Sequence, residues 1–263
     1  MNKAFLTLTM ASCLALGSCS GTISDRVGSS PSHTKTVANF LSPNAKTTND
    51  RLETVAKQAL RDGSPEEALK FYEDAYKNAS NDPDNALNYA QVLRKTGNPD
   101  RAVMVLAPHA KEMENSLKAH QKNSRKKLKY DPMLMLEYAS SNIESGHFER
   151  AEGTLQNILL VKDTEYLHPQ VLNLIGVSMD ARAMHQAAEP YYRDAMDIWQ
   201  GEATTVMNNL ALNLAHQGYF DESLTLLRQA HIMAPDKSRL SANIDLVTEL
   251  QGALIPKARM PSK

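Results

Sequence analysis

Five stretches of the chain carry small residues and turn signals in the same order, and their spacing constrains the fold more than any other feature. They are TVAKQALRDGSPEEALKFYEDA at 54–75, NYAQVLRKTGNPDRAVMVLAPH at 88–109, EYASSNIESGHFERAEGTLQNI at 137–158, LIGVSMDARAMHQAAEPYYRDA at 174–195 and NLALNLAHQGYFDESLTLLRQA at 209–230. Read at Ala68, Ala102, Ala151, Ala188 and Ser223, the steps are 34, 49, 37 and 35 residues. In the first half of each stretch a larger residue precedes a small one: Val55-Ala56, Tyr89-Ala90, Tyr138-Ala139, Ile175-Gly176 and Leu210-Ala211. A turn glycine follows at Gly63, Gly97, Gly146 and Gly218, with Ala183 standing in its place in the fourth stretch. The second half carries Tyr72, Leu106, Leu155, Tyr192 and Leu227 at one position. Small residues let two helices of a hairpin approach closely, and large ones fill the space between hairpins. Glycine supplies the positive φ that ends a helix. One such hairpin leaves an apolar face open, so several must stack. The expectation is an all-α solenoid of about five helical hairpins.

A step of 34 residues with this content resembles the tetratricopeptide repeat (TPR). Pro235 sits where that family places its helix-ending proline, and Pro83 slightly late in the first repeat. The closing alanine of the repeat is matched at Ala75, Ala195 and Ala230, while His109 and Ile158 depart from it. After Pro235, SRLSANIDLVTELQG keeps the register, with Ile244 lying 34 residues past Leu210. It holds a first helix without a second and reads as a capping helix, polar at Asp245 where the preceding repeat has Ala211. The solenoid is expected over 49–252, followed by a disordered tail at 253–263.

The long step of 49 residues contains an insertion near 111–131, in which Lys118, Lys122, Arg125, Lys126, Lys127 and Lys129 cluster. The spacing predicts that the second helix of repeat two is prolonged before a basic connection. Such a patch suits an acidic partner or anionic lipid headgroups; a solvated helix end whose cations complement the helix dipole is the simpler reading.

The N-terminus has a different character. Met1-Asn2-Lys3 is followed by the uncharged run AFLTLTMASCLAL at 4–16, a secretory segment too short for a membrane span of about 20 residues. Leu16-Gly17-Ser18-Cys19 then resembles the lipobox of bacterial lipoproteins. The resemblance implies removal of 1–18 as a lipoprotein signal peptide, Cys13 with it, and acylation of Cys19, typically with three chains. Residues 19–48 are rich in Ser, Thr, Gly and Pro and read as a flexible tether. Ser20, not Asp, follows the cysteine, which by resemblance to Gram-negative lipoproteins implies an outer-membrane anchor facing the periplasm.

No arrangement of residues points to catalysis. The eight histidines are scattered, and HExxH, GxSxG, the phosphate-binding loop and GxGxxG are absent. Two cysteines build neither a disulfide framework nor a metal spacing. A net charge of −1 does not suit a general nucleic-acid binder. Hence no enzyme activity, metal, cofactor or small-molecule substrate is expected. In peptide-binding TPR proteins, the positions two before, one before and two after the large first-helix residue form the concave face. Carried onto this chain they include Leu87, Asn88, Gln91, Asn173, Val177, Asn208, Asn209, Leu212 and Asn243. Asn88, Asn209 and Asn243 share one repeat position, where amides could bond a peptide backbone or satisfy neighbours within the stack. The Lys/Arg set of TPR domains that clamp C-terminal carboxylates is missing.

Anchor, tether and repeats together describe an envelope adaptor with protein partners. MNNLALNLAHQGYFDESLTLLRQA at 207–230 and the following ANIDLVTELQG resemble the TadD-type TPR lipoproteins of Tad (Flp) pilus assembly. The resemblance implies a pilotin-like role towards the secretin or its partners; the basic insertion and Ala183 depart from that pattern. The same plan also suits an adaptor for a type IV pilus secretin, a peptidoglycan synthase or the outer-membrane assembly machinery.

Overall fold

The structure is a computed structural model that describes residues 48–254, apart from 124 and 130. The expected signal segment, Cys19, the expected tether up to residue 47 and residues 255–263 lie outside the described residues. The described residues form eleven α-helices and no strand. They are α1 (Thr48–Arg61), α2 (Pro65–Asn78), α3 (Pro83–Lys95), α4 (Pro99–Lys122), α5 (Met133–Glu144), α6 (Phe148–Leu159), α7 (His168–Ala181), α8 (His185–Ile198), α9 (Thr204–His216), α10 (Phe220–Met233) and α11 (Ser238–Leu254). A 3-10 turn, Lys162–Leu167, precedes α7. The chain divides into two compact units, whose described residues are 48–165 and 166–254. The first holds three hairpins, α1/α2, α3/α4 and α5/α6; the second holds α7/α8, α9/α10 and the single helix α11. Five hairpins and a last helix make this the expected all-α TPR fold.

Every hairpin turns in the same way. The residue of positive φ donates its N–H to the carbonyl three residues back, and the next residue donates to the carbonyl five back. Ser64, Asn98, His147, Met184 and Tyr219 make the latter bond to Ala59, Leu93, Asn142, Met179 and Leu214 at 2.7–3.0 Å. This satisfies carbonyls that a helix end would otherwise leave open. Four of the turns use glycine at φ 75–89°, whereas Ala183 adopts φ 58° and closes the same two bonds. Proline at the first position of α2, α3 and α4 restarts the chain where no N–H is needed.

Packing follows the repeat. Tyr72, Leu106, Leu155, Tyr192 and Leu227 are all at most 4% exposed, as are Ala56, Ala90, Ala139 and Ala211 opposite them. The fourth hairpin has glycine, not alanine, at this position. A Cβ on Gly176 would lie 2.6–2.9 Å from the Tyr192 ring, so this crossing admits glycine alone. At the far end, Leu240 and Val247 of α11 close a core with Ala211, Leu224, Leu227 and Ala230, while Asp245 faces solvent.

Candidate protein-interaction surface

Within each unit, side-chain amides join first helices that neighbour one another. Asn88 Nδ2 donates to Glu53 Oε1 at 3.2 Å, Asn209 Nδ2 to Asn173 Oδ1 at 3.0 Å and Asn243 Nδ2 to Asn208 Oδ1 at 2.6 Å. In each pair the donor precedes the large first-helix residue by one position. Its acceptor stands two before the large residue of the preceding hairpin. Positions expected to face a ligand therefore face each other, and the amides bond within the stack. Asn173, Val177 and Asn243 are 5%, 7% and 7% exposed, which corrects the expectation that they offer surface: neighbouring first helices cover them. Leu87, Asn88, Gln91, Asn208, Asn209 and Leu212 are half-buried, and Leu212 packs against the core below α11.

Two further polar clusters lie on the same helices. Five positions past the large residue, the first helices of repeats one, three and five carry Leu60, Ile143 and Ala215. Repeats two and four place Arg94 and Asp180 there. Arg94 grips Glu137 of α5 with two bonds, from Nε at 2.6 Å and Nη2 at 3.1 Å, and reaches Glu144 through Nη1 at 2.7 Å. The Arg94 and Glu137 side chains are 9% and 7% exposed. Burial alone would lower the Arg94 pKa; the two carboxylates outweigh it and raise it. Burial pushes the Glu144 carboxyl up despite Arg94.

Asp180 accepts three bonds, from His185 Nδ1 at 2.8 Å, Asn213 Nδ2 at 2.7 Å and the buried Tyr192 hydroxyl at 2.9 Å. Burial, then the Asp180 charge, drives the Tyr192 pKa well up. His185 stacks on His216 with ring centroids 4.6 Å apart. Partial burial, then the neighbouring His185, lowers the His216 pKa, although the residue as a whole is exposed and Asp180 acts the other way. From Asn213 the bonds run on through Gln217 to Glu189, Arg193 and Glu222. Sequence reasoning did not find either cluster. The available signal was a charge at a repeat position that is apolar elsewhere.

The basic insertion is prolonged helix for half its length. α4 runs 24 residues, through Pro108, to Lys122. Met113, Leu117 and His120 on this extension are at most 4% exposed. The chain then folds back, and Lys129 N donates to Ser116 Oγ at 2.8 Å while its ammonium pairs with Glu112. Lys122, Arg125, Lys126 and Lys127 are exposed at the tip.

No group of three His, Cys, Asp or Glu among the described residues could hold a metal ion. None of the described helices is long and apolar enough to cross a membrane. Models of the tetratricopeptide repeat match residues 59–122 and 204–234. These matches and the helical hairpins agree on the TPR fold. A thermophilic TPR protein of Thermus thermophilus shares its fold, at 18% identity and a TM-score of 0.55, over 76% of this chain and 99% of that one. NprR, solved with its cognate peptide NprX, is similar over 81% of this chain and 63% of its own, at 15% identity and a TM-score of 0.57. Part of the APC/C hetero-tetramer Cut9–Hcn1 aligns with 78% of this chain, over 37% of its own length, at 15% identity and a TM-score of 0.56. A comparison with curated proteins gave no match. These identities speak for the TPR fold, and TPR repeats are protein-interaction scaffolds.

Proposed function

We propose that this TPR protein is a lipid-anchored adaptor of the bacterial envelope that helps a Tad/Flp pilus secretion system assemble, in the manner of a pilotin. The observation that carries the reading is the joining of Leu16-Gly17-Ser18-Cys19 to a run of TPR hairpins. Acylation of Cys19 would hold the chain at the outer membrane, facing the periplasm, while the hairpins engage a protein. NprR, which is similar in fold, is solved with its cognate peptide, which supports a peptide or extended segment as the ligand class. The likeness of 207–230 to TadD-type repeats favours the pilus secretin or its partners over other envelope machines. With Asn88, Asn209 and Asn243 bonded inside the stack, the half-buried Leu87 and Gln91 of α3 and Leu212 of α9 are the better contact candidates, each within its own unit.

The test is capture from crosslinked envelopes with the intact lipoprotein, beside Cys19→Ala. Recovery of a secretin or another pilus component, lost in Cys19→Ala, is the expected result. Recovery of peptidoglycan synthases or outer-membrane assembly factors alone would overturn the pilus assignment.

A further inference from the structure

The extension of α4 has no counterpart in the other hairpins and ends in unneutralised charge. Second helices α2, α6, α8 and α10 have 12–14 residues, against 24 in α4. His109 marks where α4 draws level with the edge of the unit, since its Nε2 lies 3.2 Å from the Ser80 carbonyl in the turn between α2 and α3. From there to Lys122 the helix adds 13 residues, about 20 Å at 1.5 Å per residue.

The same edge is where the chain enters the unit. Asn49, at the start of α1, donates to the Ala75 carbonyl at 3.2 Å and accepts from Asn78 at 3.2 Å, both at the end of α2. The start of α1 and the overshoot of α4 thus belong to one edge of the 48–165 unit.

The charge at that tip is held in place. His120, 4% exposed, makes a ring-nitrogen hydrogen bond to the Lys126 carbonyl, and its Nε2 lies 3.2 Å from Asp163 Oδ2 on the 3-10 turn. This pins the backbone of the loop while Lys122, Arg125, Lys126 and Lys127 point outward. Lys118 and Lys129 are paired with Glu114 and Glu112, and Asp131 accepts the Met133 N–H. The other four cations have no ion-pair partner among the described residues, in a chain of net charge −1.

We infer that this tip rests on an anionic lipid surface beside the anchor. The inference uses the lipid-anchor reading of Cys19, which sets a bilayer within reach of that edge. Three lysines, which act as point charges, and a single arginine, exposed at the end of α4 and in the loop after it, match a fluid sheet of phosphate headgroups better than a shaped acidic peptide. The contact orients the 48–165 unit with its α4 tip toward the membrane.

The experiment places a polarity-sensitive dye at Asn123→Cys in the intact lipoprotein, reconstituted with vesicles carrying a headgroup quencher. The vesicles are phosphatidylcholine alone or phosphatidylcholine with phosphatidylglycerol. Flotation with phosphatidylcholine alone reads the anchor; quenching reads the tip. The expected result is quenching several-fold stronger with phosphatidylglycerol, abolished by high salt and by Arg125→Glu/Lys126→Glu/Lys127→Glu, with circular dichroism unchanged. Equal quenching on both vesicles, or none, overturns the inference and leaves an acidic polypeptide as the ligand of the tip. A chain that does not float with phosphatidylcholine refutes the anchor instead, and phosphatidylglycerol-dependent quenching still decides the tip.

Discussion

Arg94 in the 48–165 unit and Asp180 in the 166–254 unit occupy the same repeat position with opposite charge. Arg94 meets two carboxylates on α5; Asp180 meets the neutral donors Asn213 and Tyr192, with His185 completing its set. The repeat thus dictates where a first helix touches the next one, not what chemistry fills the contact. The difference lies in cost. A buried ion pair that loses one partner leaves an uncompensated charge, whereas loss of one donor to Asp180 leaves it with two.

The largest effect should therefore come from Arg94→Ala, which strands Glu137. We expect a loss of about 3–5 kcal/mol, read by urea unfolding and by amide exchange in α3 and α5. Arg94→Met with Glu137→Leu and Glu144→Gln should recover most of it; an equal loss in single and triple variants would show that the charges do not form a unit. Next is Gly176→Ala, whose Cβ would press on the Tyr192 ring at 2.6 Å. It should cost about 1–3 kcal/mol by overpacking, and the 166–254 unit should melt earlier. Asn213→Leu, removing one donor from Asp180, should cost about 1–3 kcal/mol, below the Arg94 variant.

The two units should also answer pH in opposite senses through these groups. The folded pKa of His216 is lowered, so the unfolded chain takes up that proton first, and stability of the 166–254 unit falls as pH drops below about 6.5. The folded pKa of Glu144 is raised, so the fold holds that proton first, and the penalty of its buried charge is relieved as pH falls toward 4.5. Amide exchange in the two units across this window, with His216→Gln and Glu144→Gln as references, reads both slopes. Like slopes in the two references and the wild type would rule these groups out. The smallest effect is Ala183→Gly, which removes left-handed strain of about 1 kcal/mol but loosens the unfolded chain, for a net gain of a few tenths.

The hairpins were legible because one spacing recurs, and Ala183 could be placed at the turn because the register demanded a positive φ there. Arg94 and Glu137 were not legible as a pair. They lie 43 residues apart only because the insertion intervenes, and periodicity says nothing of how a long side chain crosses between helices. Asn88, Asn209 and Asn243 were recognised as equivalent, yet their acceptors depend on how far neighbouring first helices are offset. Of the basic residues, Lys129 looked like the others until the loop folded back onto Glu112.

Secretin multimers in the outer membrane are the quantity to measure, compared in cells with the intact chain, with Cys19→Ala and without the chain. The proposed role predicts that multimers fall away in both altered strains. Multimers at full level without the chain would contradict it and assign these TPR hairpins to another envelope machine.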